Sequence, residues 1–248
     1  MHPRRALAPL LGALVLGTAI FRVRRAFVRD MDAAYDRITG RTRVIATTLG
    51  DVEILEGGSG EGTPALVVHG SGGGFDQGEL LARAALGPDV RWIAPSRFGY
   101  LRSTFQPGAT FDEQAHAFAA LLDALGVARV HVLALSHGGP SALLLAALHP
   151  ARVASLTLIS AGVASSGDET QAEADAKGRA LTTIFQHDAL YWAMTRALRR
   201  PFLALMGVDA AVVERMTPEA ERLVGEIVDF MNREHLRASD QLDRSPTR

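Results

Sequence analysis

The sequence predicts an α/β fold: a mostly parallel sheet, helices on both of its faces, and a helical cap after the sixth strand. Three observations carry this expectation. From Arg43 onward, short apolar runs alternate with longer helical stretches, the pattern that builds parallel sheets from strand-helix-strand units. Residues with unusual chemistry gather at the carboxyl ends of those runs, in His69–Gly74, Ser96–Ser103 and Ser136–Gly139, where such sheets collect functional groups. After Ser160 the apolar runs give way to alanine-rich helical sequence.

Taken in order, Arg43–Thr47 and Val52–Leu55 flank a Gly50-Asp51 turn and read as a β-hairpin. Ala65–Val68 is wholly apolar and ends in His69-Gly70, as a buried central strand would. Gln77–Ala85 can form a helix, and Val90–Ala94 is the next strand. Phe111–Leu125 is amphipathic and stops near Gly126, so it reads as a helix. Val130–Leu135 is a strand, Pro140–Leu148 a helix halted by His149-Pro150, and Val153–Ile159 the last clear strand. Asp168–Thr183, Asp188–Leu198 and Pro218–Met231 are helical stretches of the expected cap. The segment 233–248 is polar and is expected to be disordered.

The N-terminus has a different character. Arg4 and Arg5 precede an apolar run from Ala6 to Phe21, and Arg22, Arg24 and Arg25 follow it. A full span needs roughly 17–25 apolar residues, so the run is at the short edge, though flanking arginines can snorkel. Residues 1–25 therefore read as a membrane anchor or signal segment, with Gly17-Thr18-Ala19 as a cleavage site in the second case. A buried helix with charged ends is the alternative. Residues 26–41 read as a linker or amphipathic spacer. The expected partition is then a core over 42–165, a cap over 166–232 and the polar tail. The expected location is the membrane, through this single anchor, with orientation left open.

Composition narrows the classes. Hydrophobic residues make up 48% and charged residues 21% of 248, which suits a globular chain. A net charge of -1 with no basic stripe gives no field for nucleic acid. Without cysteine there is no thiol nucleophile and no thiolate zinc site. The histidines show no metal-ligand spacing, so no metal is expected. The oligomeric state is not set by the sequence.

The strongest motif is Leu135-Ser136-His137-Gly138-Gly139, in which a strand ends, a serine follows and glycines open a helix. A nucleophile elbow has this form: a strained turn exposes the hydroxyl, and small neighbours let strand and helix pass closely. Ala134 stands where the G-x-S-x-G pattern has its first glycine. A serine capping a helix N-terminus is the plainer reading. The second motif is His69-Gly70-Ser71-Gly72-Gly73-Gly74 at the end of the buried strand. Such a loop can aim N–H groups at an oxyanion, with a further N–H from His137, the residue after the serine. A flexible turn is the alternative, and a nucleotide loop would want G-K-[ST], which is missing.

With these motifs in order, residues 43–160 resemble the core of the α/β-hydrolase superfamily up to its sixth strand. The order of hairpin, H-G-x-x-G loop, the turn Ser96-Arg97-Phe98-Gly99-Tyr100-Leu101-Arg102-Ser103, helix and elbow matches that family. In its D-x-R-G-x-G-x-S segment, Ser96 stands for the aspartate, Phe98 for the arginine and Leu101 for the second glycine. Gly72–Gly78 and Ser96–Ser103 are similar to a bacterial branch of uncharacterised hydrolases with an N-terminal membrane segment.

The resemblance implies hydrolysis of an ester or related bond of a small hydrophobic substrate, with no cofactor. Ser136 would attack a carbonyl, and the N–H groups of His137 and of Ser71 or Gly72 would hold the oxyanion. The cap would line an apolar pocket with Phe185, Tyr191, Trp192 and Met194, unless these only pack cap onto core.

The family's triad acid and histidine are not evident. Phe202–Met206 with Asp209 and His235 would supply the order Ser, Asp, His, but no strand or glycine precedes His235. The preferred reading is that this region is cap and that about six of the family's eight strands are present. Asp168 is an alternative acid. A non-catalytic binding protein of the same fold, or a truncated product of a complete hydrolase gene, is the rival.

Overall fold

The computed structural model describes residues 4–104, 107–163 and 187–197, with isolated positions between 201 and 222. Six strands form one sheet in the order β1-β2-β4-β3-β5-β6: β1 (Arg43–Thr47), β2 (Gly50–Gly57), β3 (Ala65–Val68), β4 (Trp92–Pro95), β5 (Val130–Leu135) and β6 (Val153–Ile159). β4, β3, β5 and β6 run parallel, while β1 pairs antiparallel with β2, and β2 with β4. The hairpin pairs Thr47 with Gly50. Its turn is therefore Thr48-Leu49, two residues earlier than expected, and Gly50 opens β2 at φ +108, a value glycine tolerates. β4 begins at Trp92 because Val90 closes a turn onto Gly87 (N–H to O 3.1 Å).

The helices are α1 (Arg4–Ile38), α2 (Phe75–Ala85), α3 (Phe111–Ala124), α4 (Gly139–Leu148) and α5 (Asp188–Ala197). Side-chain alternation along the central strands fixes which layer each residue joins. Leu66, Val68, Val132 and Ala134 pack with Phe118, Leu121, Leu122 and Leu145 of α3 and α4. Ala65, Val67 and Leu133 point the other way and pack with Ala82 of α2, Trp92 and Ala94. Every residue of β3 is buried. Burying a Val, Leu or Ile fully is worth roughly 1.5–3 kcal/mol, so two-sided burial makes β3 and β5 the rigid base of the molecule. α3 starts in a capping box: Glu113 N–H donates to Thr110 Oγ1 at 3.3 Å, and Thr110 N–H donates to Glu113 Oε2 at 2.7 Å.

The N-terminal expectations are corrected. Among the described residues no helix is long and apolar enough to cross a membrane, which overturns the expected anchor and the membrane location drawn from it. Arg22, Arg24 and Arg25 end the apolar run at Phe21, which leaves it short of the roughly 17–25 residues that a span needs. The helix does not stop near residue 25. α1 runs through to Ile38, and Gly40 at φ +73 follows its end. No proline or glycine lies between Thr18 and Thr39 to stop it.

The 26–41 stretch packs against α5. Phe27 meets Trp192 edge-on at 5.6 Å, and Met31, Ala34 and Tyr191 are buried together. The Trp192 indole donates to Asp30 Oδ2 at 2.9 Å, and Arg196 pairs with the same carboxylate. Burial alone would raise the Asp30 carboxyl. Hydrogen bonds from Trp192 and Arg29 and the charge of Arg196 outweigh it and leave the carboxyl below its ordinary 3.8. Most of the expected cap and all of the expected tail lie outside the described residues.

Candidate active site

Ser136 stands at the junction of β5 and α4. Leu135 is extended, Ser136 turns to φ +48, and a short 3-10 turn over Ser136–Gly138 feeds the helix. A left-handed conformation at a non-glycine residue costs roughly 1–3 kcal/mol and persists only where the surroundings impose it. Here β5 is clamped between β3 and β6, and two glycines lock the helix start. A Cβ at Gly138 would lie 2.5 Å from the His69 carbonyl oxygen, and one at Gly139 would lie 2.5 Å from Ala161 Cβ. The turn leaves Ser136 exposed.

The loop after β3 faces this serine. A Cβ at Gly70 would sit 3.1 Å from Ser136 Cβ, so the loop passes close beside the serine and a side chain there would displace its neighbour by a few tenths of an ångström. The Gly70 N–H donates to Gln77 Oε1 at 2.7 Å, so it is committed to α2. His69 is fully buried. Its Nδ1 lies 2.7 Å from the Gly70 carbonyl oxygen, and its Nε2 accepts the Arg97 N–H at 2.9 Å. These partners require the hydrogen on Nδ1 and a neutral ring. Burial first, then the charges of Arg97 and His137, holds its pKa well below the ordinary 6.5.

The turn over residues 96–103 braces the loop from behind. Ser96 Oγ accepts the Phe75 N–H at 3.0 Å and donates to Glu53 Oε2 at 3.3 Å. Ser103 Oγ donates to the Ser96 carbonyl at 2.6 Å and accepts the Glu53 N–H at 3.0 Å. The buried Glu53 carboxylate also takes the Arg102 N–H (3.1 Å) and Nε (2.7 Å) and the Thr42 hydroxyl (2.6 Å). A carboxylate from β2 thus serves the turn in which Ser96 stands for the family's aspartate. Leu101 adopts φ +48 where the resemblance has glycine.

Among the remaining described histidines, His116, His131, His137 and His149 each meet a neighbour, while His187 is exposed. His116 and His149 face one another at 2.8 Å, His131 bonds Ser155 Oγ at 2.8 Å, and the His137 ring packs edge-on against Phe111. Among the described residues no three metal-ligating side chains converge. Asp168, Phe185, Asp209 and His235 lie outside the described residues. Tyr191, Trp192 and Met194, expected to line a substrate pocket, pack with α1 instead. An aromatic-rich helix carries no mark of which surface it will cover.

Sequence reasoning missed Gln77, Glu53, Arg97 and Tyr100. Their partners lie up to 49 residues away along the chain, so only a polar residue inside an apolar run, as Glu53 is in Val52–Leu55, hints at them.

A parallel sheet whose central strand passes a positive-φ serine to a helix, opposite a glycine-rich loop, defines an α/β-hydrolase-type protein. Residues 63–226 match the model of the alpha/beta hydrolase fold, and the chain belongs to that family. It is 39% identical over 103 residues to the uncharacterized hydrolase YcgS of Bacillus subtilis, covering 42% of this chain and 36% of the relative. It is 36% identical over 140 residues to a 2-hydroxymuconate semialdehyde hydrolase of Pseudomonas putida, covering 52% and 50%. The chain thus spans half or less of the length of these relatives. A thermophilic esterase structure from Thermogutta terrifontis shares the fold, with TM-score 0.54 and 23% identity over 84% of this chain and 71% of the esterase.

Proposed function

We propose that the protein is a serine hydrolase acting on an ester or related bond of a small hydrophobic substrate. Ser136 attacks the carbonyl carbon. The N–H groups of His137 and of Ser71 or Gly72 stabilise the tetrahedral oxyanion, an effect worth roughly 10²–10³ in rate per donor. The observation that carries this reading is the exposed Ser136 at φ +48, beside the Gly70 loop. Helix α4 behind it adds a positive dipole end where negative charge develops. No cofactor is required by this chemistry.

The test is turnover of p-nitrophenyl esters of increasing acyl length by the purified chain, beside Ser136→Ala and His235→Ala. Ser136→Ala is expected to lower turnover by on the order of 10³-fold or more, without loss of folding, because the side chain is exposed. Turnover that survives this change refutes the assignment. Loss in both variants makes His235 the general base.

The rival reading, a hydrolase fold that binds without turnover, is favoured by one observation: His69, His116, His131 and His149 each bond a partner other than Ser136 through the ring. A parent chain no faster than Ser136→Ala selects that rival.

A further inference from the structure

Arg97 is fully buried, yet no carboxylate answers its charge among the described residues. Its Nε and Nη1 have no hydrogen-bond partner. Nη2 donates to the Gly70 carbonyl at 3.0 Å and to Tyr100 Oη at 3.3 Å, and the guanidinium lies 5.0 Å from the Tyr100 ring centroid. Tyr100 Oη in turn donates to the Ser71 carbonyl at 3.0 Å. An unpaired buried cation is costly, so a chain serving stability alone would gain by replacing it.

The two carbonyls held by this pair share peptide planes with the next two N–H groups. All peptide bonds here are trans, and in a trans peptide the C=O of one residue points opposite to the N–H of the next. Holding the Gly70 oxygen fixes the Ser71 N–H, and holding the Ser71 oxygen fixes the Gly72 N–H, on the side away from Arg97. Neither N–H has an acceptor among the described residues. A Cβ at Gly70 would lie 3.1 Å from Ser136 Cβ, so the start of this loop passes beside the serine.

We infer that Arg97 is a positioning residue of the oxyanion loop: beside His69 Nδ1 at the Gly70 carbonyl, and through Tyr100 at Ser71, it turns the Ser71 and Gly72 N–H groups toward Ser136 and keeps an uncompensated positive charge behind them. That charge meets its counter-charge only when the oxyanion forms, so it favours the transition state over the bound substrate. Being sealed from solvent, Arg97 acts through the loop and does not touch substrate. The inference rests on Ser136 being the nucleophile.

The experiment compares the parent with Arg97→Met, Arg97→Lys and Tyr100→Phe by kcat, KM and Tm, and by the orientation of the Gly70–Ser71 and Ser71–Gly72 peptide planes in high-resolution crystal structures. Arg97→Met is expected to lower kcat about 100-fold and Tyr100→Phe about tenfold, with KM within about threefold. Arg97→Met should melt no lower than the parent, and Arg97→Lys should recover part of its lost kcat. A purely structural role would lower Tm and leave kcat per folded molecule unchanged, which overturns the inference. Should Arg97→Met not fold, Tyr100→Phe decides: parental kcat with unmoved peptide planes overturns it. Should the parent show no Ser136-dependent turnover, the hydrolase reading fails, and the peptide planes alone decide whether Arg97 and Tyr100 set the loop.

Discussion

Both ring nitrogens of His69 are committed, one to the Gly70 carbonyl and one to the Arg97 N–H, and this has a consequence for pH. Folding holds the ring neutral, while the unfolded chain protonates it near its ordinary 6.5. Between the folded pKa and 6.5 the unfolded state binds more protons, so stability falls as pH drops below 6.5 and is fully present above it. His149 moves in the same direction, pushed down by burial, then by His116 and Arg152. The expected outcome is a Tm that declines from pH 7 to pH 5, with a shallower decline in His69→Gln than in His149→Gln. Equal slopes in parent and His69→Gln would contradict the neutral-ring assignment. At this scale the motif serine and its glycines were legible in the sequence, because strand, serine and glycine follow one another directly. The braces were not. Glu53 answers Ser96 across 43 residues, and nothing local in either residue names the other.

Among the elements, the start of α4 has no room for a side chain at its glycines. A methyl at Gly138 would meet the His69 carbonyl oxygen at 2.5 Å and a Val68 side-chain carbon at 2.9 Å. Gly138→Ala is expected to cost roughly 1–3 kcal/mol, read as a lowered denaturation midpoint, and to displace the loop that faces Ser136. An unchanged midpoint and unchanged turnover would show that strand and helix are less tightly apposed. α1 offers a separate prediction. Its contact with α5 depends on Asp30, Trp192 and the buried Tyr191. Trp192→Ala should raise amide exchange over Phe27–Ala34 while leaving exchange in β3 and β5 unchanged, since neither strand touches that contact. The strands were legible because short apolar runs bounded by polar or turn residues leave little alternative. Helix starts were less so: α2 begins at Phe75, two residues before the expected Gln77, because the Gly70–Gly74 run hides a start that Asp76 completes by accepting the Gly74 N–H at 2.8 Å. The composition change near residue 25 suggested a boundary, yet polarity changes which face a helix buries without ending it.

For the whole molecule, the sheet order follows from pattern. Ala65–Val68, the most apolar run, takes an interior place with neighbours on both edges, and helices cover both of its faces. That arrangement places the carboxyl ends of β3, β4 and β5 side by side, bringing Gly70, Arg97 and Ser136 to one locality from three distant segments. The central claim is that this locality activates Ser136 as a nucleophile. Its most direct measurement is covalent trapping: the folded chain is treated with a fluorophosphonate, and the adduct is counted by intact mass and located by peptide mapping. The account predicts one adduct per chain, on Ser136, absent from Ser136→Ala and abolished when the parent is first unfolded. No adduct on the folded parent, or an adduct on any other residue, would contradict it.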